Sequence, residues 1–418
     1  MKINQLTKQT TADLLSDAQR AYDAGDYEKA AQLFESLAEQ GNAKAQFSLG
    51  LMHEQGEGVP QDYTEALKWH RLAADQGDDL AQTSLGWMYY AGIGVSQNYE
   101  EVEKWIRLAA VQGNSRAQCI LGKMYGLGEG VSQDPEEAVK WLKLAAEQGN
   151  AIAQVDLGAM YYLGRDVPQD YTEALKWYRL AADQGSASAQ LSIGCMYAQG
   201  EGVPQDYTEA LKWTRLAADQ DNVSAQFNLG LMYGQGDGVP QDYTEALKWY
   251  LLAAEQRDES ALYQLGLMYG QGDGVPQDYT EALKWFRLAA EQGNVLAKYA
   301  IGLMYGQGEG VPQDYTEASK WFRQAAEQGN ALAQLWLGLM YGQGDGVPQN
   351  YTEALKWYRL AAGQGNALAQ FSLGLMYEQG EGIPQNYTEA LKWYRLAADQ
   401  GSAEAKEAIK LLGVGLQN

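Results

Sequence analysis

The residues best suited to metal binding or nucleophilic catalysis are few in this chain. Its 418 residues include two histidines, His53 and His70, and two cysteines, Cys119 and Cys195. A structural zinc site needs about four Cys or His ligands at short spacings, and a catalytic triad needs a nucleophile beside a base. Neither arrangement can be built from these residues, so we expect no metal, no cofactor and no catalytic residue.

A recurring glycine loop, GQGDGVPQD in several copies, is the second candidate for chemistry. A phosphate-binding loop would need the pattern G-x-x-x-x-G-K-[ST], which is absent. A calcium loop would need more oxygen ligands at tighter spacing. The loop instead suits a helix end, because glycine adopts the left-handed conformation there and the following aspartate can cap the next helix.

The chain is strongly acidic, with 54 acidic against 31 basic residues and a net charge of −23. This charge disfavours nucleic acid as a partner, since Lys and Arg contacts to phosphate supply most of that affinity. It is compatible with a basic protein partner, although it also simply favours solubility. We expect no membrane insertion, because no stretch approaches about 18 apolar residues. The start lacks the apolar segment of a signal peptide, so the expected location is cytoplasmic, or periplasmic or secreted if a signal was removed.

The elements that would position any site repeat every 36 residues. Ten of the twelve tryptophans follow this interval from Trp69 to Trp393, and ten copies of the unit occupy residues 42–401. A fixed period of about 20–50 residues is typical of a solenoid, in which each repeat packs only against its neighbours. Each copy predicts two helices, the first beginning after a cap such as Asn42 and the second after a cap such as Asp62.

The first helix of each repeat has two different faces on a helical wheel. One face is nearly constant, and its Ala45 and Gly50 are small enough for the second helix to approach closely. Trp69 lies on the face of the second helix that should pack on the first. Most of the variation within the first helix falls on its opposite side, here called the variable face. In the first copy this face comprises Lys44, Phe47, Ser48, Leu51, Glu54 and Gln55.

The unit resembles the Sel1-like repeat, a variant of the tetratricopeptide repeat. The resemblance is carried by A-x-x-x-L-G-x-M-Y in the first helix, by G-x-G-V-P-Q-D-Y in the loop and by A-L-K-W-Y-x-x-A-A in the second helix. It covers residues 42–401, with local departures such as His53 for the motif tyrosine and Ser96 for the loop proline. It implies an all-α, right-handed superhelical solenoid of helix-turn-helix repeats, whose first helices line the concave side.

The two ends of the chain differ from the central repeats. Residues 1–41 are expected to form an N-terminal tail and a tetratricopeptide-like capping repeat, in which Tyr27 aligns with Tyr63. Residues 402–418 are expected to form a C-terminal capping helix with a polar outer side, followed by a tail.

An apolar stripe runs along the variable face, and we predict that it binds a partner. An exposed apolar surface of this length would mark an interaction site, whereas burial of the same side chains against the adjacent repeat would make them structural. Trp87 and Trp336, the two tryptophans outside the 36-residue series, lie on this face, and aromatic residues dominate interface hot spots. The predicted partner-binding residues are Phe47, Leu51, Trp87, Tyr90, Lys123, Tyr162, Leu191, Phe227, Leu231, Tyr263, Leu267, Tyr299, Leu303, Leu335, Trp336, Leu339, Phe371 and Leu375.

The function expected from the resemblance is that of a non-enzymatic scaffold or adaptor binding a protein or peptide in its concave groove. The near-identical copies favour a bacterial origin. The alternative is an immunity or inhibitor protein that neutralises a specific effector enzyme, a role that some Sel1-like proteins have. Homodimerisation through the apolar groove is a further alternative.

Overall fold

A computed structural model describes residues 10–415, and every regular element in that range is a helix. The predicted all-α solenoid of helix-turn-helix repeats is confirmed. The outermost parts of the predicted tails, residues 1–9 and 416–418, lie outside the described residues. The chain divides into two compact units, the first ending at Asp206 and the second beginning at Tyr207.

The helices follow one another as pairs joined by short loops. Odd-numbered helices from α3 to α21 are the first helices of the ten repeats, and even-numbered helices from α4 to α22 are the second helices. Unit 1 contains α1 (Thr11–Asp23), α2 (Tyr27–Glu39), α3 (Ala43–Gln55), α4 (Tyr63–Asp75), α5 (Asp79–Ala91), α6 (Tyr99–Val111), α7 (Ser115–Leu127), α8 (Pro135–Glu147), α9 (Ala151–Leu163), α10 (Tyr171–Asp183) and α11 (Ala187–Gln199). Unit 2 contains α12 (Tyr207–Ala218), α13 (Val223–Gln235), α14 (Tyr243–Glu255), α15 (Glu259–Gln271), α16 (Tyr279–Glu291), α17 (Val295–Gln307), α18 (Tyr315–Glu327), α19 (Ala331–Gln343), α20 (Tyr351–Gly363), α21 (Ala367–Gln379), α22 (Tyr387–Asp399) and α23 (Ala403–Gly415).

Local hydrogen bonds set the helix boundaries within each repeat. The side chain of Asn42 accepts a hydrogen bond from the backbone N–H of Ala45 at 3.0 Å and so caps the first helix. That helix ends at Gly56, which has the left-handed φ of 74°. Asp62 then caps the second helix by accepting from the backbone N–H of Thr64 at 2.9 Å. These caps satisfy backbone groups that have no partner within the helix.

Close contact between the paired helices depends on one glycine in each first helix. A Cβ atom at Gly86 would lie 2.6 Å from the side chain of Ile106, and one at Gly266 would lie 2.5 Å from the ring of Phe286. Carbon atoms in ordinary contact are about 3.5–4.0 Å apart. The predicted close approach at this position, first recognised at Gly50, is therefore confirmed.

The periodic tryptophans pack where successive repeats meet. Trp141 of α8 belongs to a buried cluster that extends to Ala73 of α4, and Trp177 of α10 belongs to one that contains Leu142 of α8. Each ring thus contacts a core shared with the preceding repeat, in addition to the first helix on which it was predicted to pack. The 36-residue tryptophan series marks the junctions that hold the repeats together.

Buried glutamines form a second set of junction contacts. Gln82 of α5 donates to the carbonyl oxygen of Ala74 in the preceding repeat at 3.1 Å, and it accepts from Gln112 at 2.8 Å. Gln334 of α19 makes the same two bonds, to Ala326 at 3.0 Å and from Gln364 at 2.8 Å. A buried amide that is bonded on both sides fixes the register of neighbouring repeats.

Lys298 occupies the position of these glutamines in α17 and is only 7% exposed. Its ammonium donates to Gln328 at 3.0 Å, and no carboxylate of residues 10–415 lies within ion-pair distance of it. A buried charge without a counter-ion is costly. We therefore expect Lys298→Gln to raise the free energy of unfolding by about 1 kcal/mol, since it restores a neutral amide pair. The change is measured as an increase in the urea midpoint.

The reverse substitution is the matched control for this prediction. Gln334→Lys should lower the urea midpoint, because it introduces the same buried ammonium at an equivalent junction. A midpoint that stays constant or falls in Lys298→Gln would show that the lysine is adequately solvated in the folded chain.

Candidate partner-binding clefts

The structure places most of the predicted stripe in half-buried positions. Trp87 and Trp336 are the most exposed apolar members, at 47% and 38%, and Lys123 is also exposed. Leu335 is buried, with 5% of its surface exposed. The half-buried members are Phe47, Leu51, Tyr90, Tyr162, Leu191, Phe227, Leu231, Tyr263, Leu267, Tyr299, Leu303, Leu339, Phe371 and Leu375.

Several aromatic residues of this stripe pack against the second helix of their own repeat. The ring centroids of Phe227 and Tyr250 are 5.9 Å apart, and those of Tyr263 and Phe286 are 5.6 Å apart. Tilted aromatic pairs at this distance stabilise a core beyond their buried area. These side chains therefore contribute to internal packing and still present part of their surface to solvent.

Within each unit, clefts lie between some successive first helices, with the intervening second helix as their floor. In unit 2 a cleft of about 270 Å³ lies between α17 and α19, above α18. The Trp336 ring stacks on Phe322 in this cleft, with centroids 6.0 Å apart and planes 7° apart. We call it the Trp336 cleft; it is lined by Leu303, Gly306, Gln307, Tyr315, Phe322, Trp336, Leu339, Met340, Gln343 and Asp345.

A corresponding cleft in unit 1 lies between α5 and α7, above α6, and has a volume of about 190 Å³. Trp87 stacks on Tyr90 at its edge, with centroids 5.5 Å apart. The Tyr90 hydroxyl donates to Glu129 at 3.3 Å, and the negative charge of Glu129 raises the pKa of Tyr90. This Trp87 cleft is lined by Gly86, Trp87, Tyr90, Val102, Ile106, Ile120, Lys123, Met124, Leu127 and Glu129.

One position of the first helix carries a tyrosine beside some clefts and a glycine beside others. Tyr162, like Tyr90, projects from this position, and its hydroxyl donates to Glu201 in the loop of the next repeat at 2.6 Å. Desolvation and that bond together raise the pKa of Tyr162. In other repeats the same position is a glycine, at residues 126, 234, 270, 306 and 342. No role was predicted for these glycines, although their recurrence inside a helix was the available signal.

The remaining charged and nucleophilic groups have structural surroundings. Lys123 of α7 forms an ion pair with Asp156 of α9 at 3.0 Å, which joins two first helices. His70 is fully buried, with its Nε2 3.2 Å from a Glu54 carboxylate oxygen. Burial raises the pKa of the Cys119 thiol to about 11, which makes it a weak nucleophile at neutral pH.

Neither a metal-binding cluster nor a membrane-spanning helix occurs among the described residues. No group of three or more His, Cys, Asp or Glu side chains in that range is arranged to hold a metal ion. Among the described helices, none combines the length and the apolar character that crossing a membrane requires.

Comparison with known proteins gives a family match along nearly the whole chain. The Sel1 repeat model matches eleven consecutive segments, from residues 19–42 to residues 367–402. The first of these segments overlaps the predicted N-terminal capping repeat, residues 1–41, and extends one residue beyond it. No match is found among curated proteins.

Two solved structures are similar over most of the chain. One is c5321, described as a protective antigen present in uropathogenic Escherichia coli strains and displaying an SLR fold. It is 35% identical, with a TM-score of 0.76, over 97% of this chain and 91% of its own. The other is a Sel1 repeat protein from Oxalobacter formigenes, which is 40% identical, with a TM-score of 0.62, over 74% of this chain and 90% of its own.

Proposed function

Because the chain belongs to the Sel1 repeat family, we propose that it is a non-enzymatic scaffold that binds a protein or peptide through the clefts of its variable face. Sel1 repeat solenoids are typical of protein-interaction scaffolds. The observation that carries the proposal is the exposure of Trp336 and Trp87 beside apolar clefts. Exposed tryptophan next to a cleft is the composition typical of an interface hot spot.

The repeat itself does not require either tryptophan. The position of Trp336 is Ser48, Ser84 or Ser372 in other copies, and the position of Trp87 is leucine in six of the ten copies. These copies form the same helix pairs. The large exposed rings are therefore additions to a framework that folds without them, which favours a role in binding over a role in folding.

The double variant Trp87→Ala with Trp336→Ala tests this proposal. We expect it to lose about 30-fold in affinity for the partner, the effect of removing one or two hot-spot side chains. Its circular dichroism should match that of the wild type. Quantitative affinity mass spectrometry with the full chain and the variant as paired baits identifies proteins that depend on the tryptophans, and their dissociation constants are then measured with purified components.

The matched control removes apolar surface of a similar kind from the second helices. Leu72 and Leu360 are 41% and 45% exposed, so Leu72→Ala with Leu360→Ala should retain the same partners. The proposal would be wrong if both double variants captured the wild-type set of proteins. A loss of helical content in the tryptophan variant would instead assign these residues to folding.

The purified chain and the captured protein also distinguish the alternative functions, a homodimer and an inhibitor of an enzyme. Light scattering of the purified chain detects a homodimer directly. If the captured protein is an enzyme that loses activity in proportion to added chain, the scaffold acts as an inhibitor of that enzyme.

A further inference from the structure

Four consecutive first helices of unit 2 contain a glycine that internal packing does not require. These residues are Gly234, Gly270, Gly306 and Gly342. A Cβ atom at any of them would meet its nearest neighbour at 3.8–3.9 Å, an ordinary contact distance. Glycine inside a helix costs about 1 kcal/mol relative to alanine. The chain therefore carries an unfavourable residue four times where a methyl group would fit.

The effect of these glycines becomes clear when they are compared with two repeats of unit 1 that have a tyrosine at the same position. In unit 1, Tyr90 and Tyr162 occupy this position and donate to Glu129 and Glu201 in the following loop. In unit 2, Gly306 leaves the equivalent carboxylate, Asp345, facing the Trp336 cleft. Among the residues that the structure describes, Asp345 makes no side-chain hydrogen bond or ion pair.

The same combination occurs two repeats earlier in unit 2. Gly234 and the carboxylate of Asp273 both line the cleft between α13 and α15. Glu309 and Glu381 are the corresponding acids after Gly270 and Gly342. Two clefts of unit 2 thus combine an acidic residue with a glycine that adds no side chain to the cleft, and the sequence repeats this glycine–acid pair twice more.

We infer that the open clefts of unit 2 bind Lys or Arg side chains projecting from a basic segment of the partner. This inference rests on the proposed scaffold function and specifies the chemistry of the partner. In the Trp336 cleft the aliphatic part of such a side chain lies against Leu303 and Phe322. Its cationic end lies near Asp345 and the face of an aromatic ring.

Charge complementarity favours a cationic occupant over a neutral one. The equivalent loop position is negatively charged in four consecutive repeats, at Asp273, Glu309, Asp345 and Glu381. The whole chain carries a net charge of −23. Long cationic side chains have an apolar stem and a charged tip, which matches a cleft with an apolar floor and an acidic end. The chain's own Tyr90 and Tyr162 occupy part of the equivalent space in unit 1, which shows that this space accommodates a long side chain.

Substitution of Gly306 by tyrosine tests the inference, because it supplies the side chain that fills the equivalent space in unit 1. The probe is a positional-scanning library of immobilised decapeptides, each pool having one fixed residue, incubated with the full chain. Wild-type chain should bind pools fixed as Lys or Arg in preference to pools fixed as Tyr, Leu or Glu. Gly306→Tyr and Asp345→Asn should each reduce that preference about fivefold.

Two further variants distinguish blocking from misfolding. Gly306→Ala should bind as the wild type does, because it leaves the cleft open while improving helix propensity. Gly363→Tyr adds the same side chain to α20 at a point where a Cβ meets nothing within 4 Å, and it should also bind normally. Loss of binding in either variant would overturn the blocking mechanism.

The outcomes separate this inference from the function on which it rests. If Trp336→Ala weakens peptide binding but Gly306→Tyr and Asp345→Asn do not, the scaffold function stands and the cationic cleft is wrong. If Tyr or Leu pools are preferred, or no pool is preferred, the inference is likewise overturned. If none of these three substitutions affects capture of the partner found by affinity mass spectrometry, the proposed binding face fails as well.

Discussion

Gly338→Ala is expected to lower the stability of α19 and α20 by about 2 kcal/mol, whereas Gly342→Ala should raise it by about 1 kcal/mol. The two glycines lie one turn apart in the same helix. A Cβ at Gly338 would be 2.6 Å from ring carbons of Tyr358, which is buried and has little room to move. A Cβ at Gly342 would meet only the Tyr358 hydroxyl at 3.8 Å.

Hydrogen exchange of α19 and α20 measures both effects locally. A local measurement is preferable because repeats are coupled mainly to their neighbours and need not unfold together. Exchange should accelerate in Gly338→Ala and slow in Gly342→Ala. If both variants changed exchange in the same direction, the distinction between a glycine needed for packing and one that leaves a cleft open would not hold.

The second large effect is expected at the loop glycine Gly346. Its φ is 67°, and a Cβ there would lie 2.2 Å from the carbonyl carbon and oxygen of Tyr315 in the preceding repeat. Left-handed backbone costs a residue with a Cβ about 1–2 kcal/mol, and the contact with backbone atoms adds a comparable amount. We therefore expect Gly346→Ala to lower the free energy of unfolding by about 3 kcal/mol.

Gly365→Ala is the matched control for Gly346→Ala. Gly365 also has a left-handed φ, of 88°, but a Cβ there meets nothing within 4 Å. Gly365→Ala should therefore lower the free energy of unfolding by about 1 kcal/mol, from the backbone conformation alone. Urea midpoints of the two variants provide the comparison. Equal losses would mean that the Tyr315 contact relaxes at no cost.

The chain contains natural substitutions at both of these glycine positions. Asp221 and Arg257 occupy the open position equivalent to Gly365, with φ values of 60° and 62°. Asp166 occupies the crowded position equivalent to Gly346, with a φ of 63°. The residue equivalent to Tyr315 there is Pro135, which keeps the same backbone carbonyl group, so this repeat accommodates a side chain at the crowded position.

The sequence was sufficient to predict the elements because their signals are local and repeated. The cap at Asn42, the left-handed glycine at Gly56 and the close contact at Gly50 each depend on a few neighbouring residues. The clefts were not predicted, since the Trp336 cleft brings together α17, α18 and α19, and no single repeat contains all its walls. Within its own helix, Gly306 does not indicate a cleft. The structure shows that it lines the same cleft as Asp345, which belongs to the next repeat.

The predicted binding residues illustrate the same limit. A helical wheel places Leu335 and Trp336 on one face, but the structure buries Leu335 and exposes Trp336. The position of Trp336 involves α18, the second helix of the preceding repeat, where Phe322 supplies the ring on which Trp336 stacks. A wheel describes one helix and contains no information about the side chains on which that helix lies.

The glutamine bonds at the junctions make many of the repeats interchangeable. Gln82 and Gln334 lie in different units of the chain, yet each makes the same pair of bonds to its neighbours. Unequal recombination between such copies would add or delete whole units of 36 residues while preserving the glutamine bonds at the new junction. Leu262 and Lys298 interrupt the glutamine series. Duplication can therefore change the number of clefts, and the segment around these two residues is the least exchangeable with respect to the glutamine bonds.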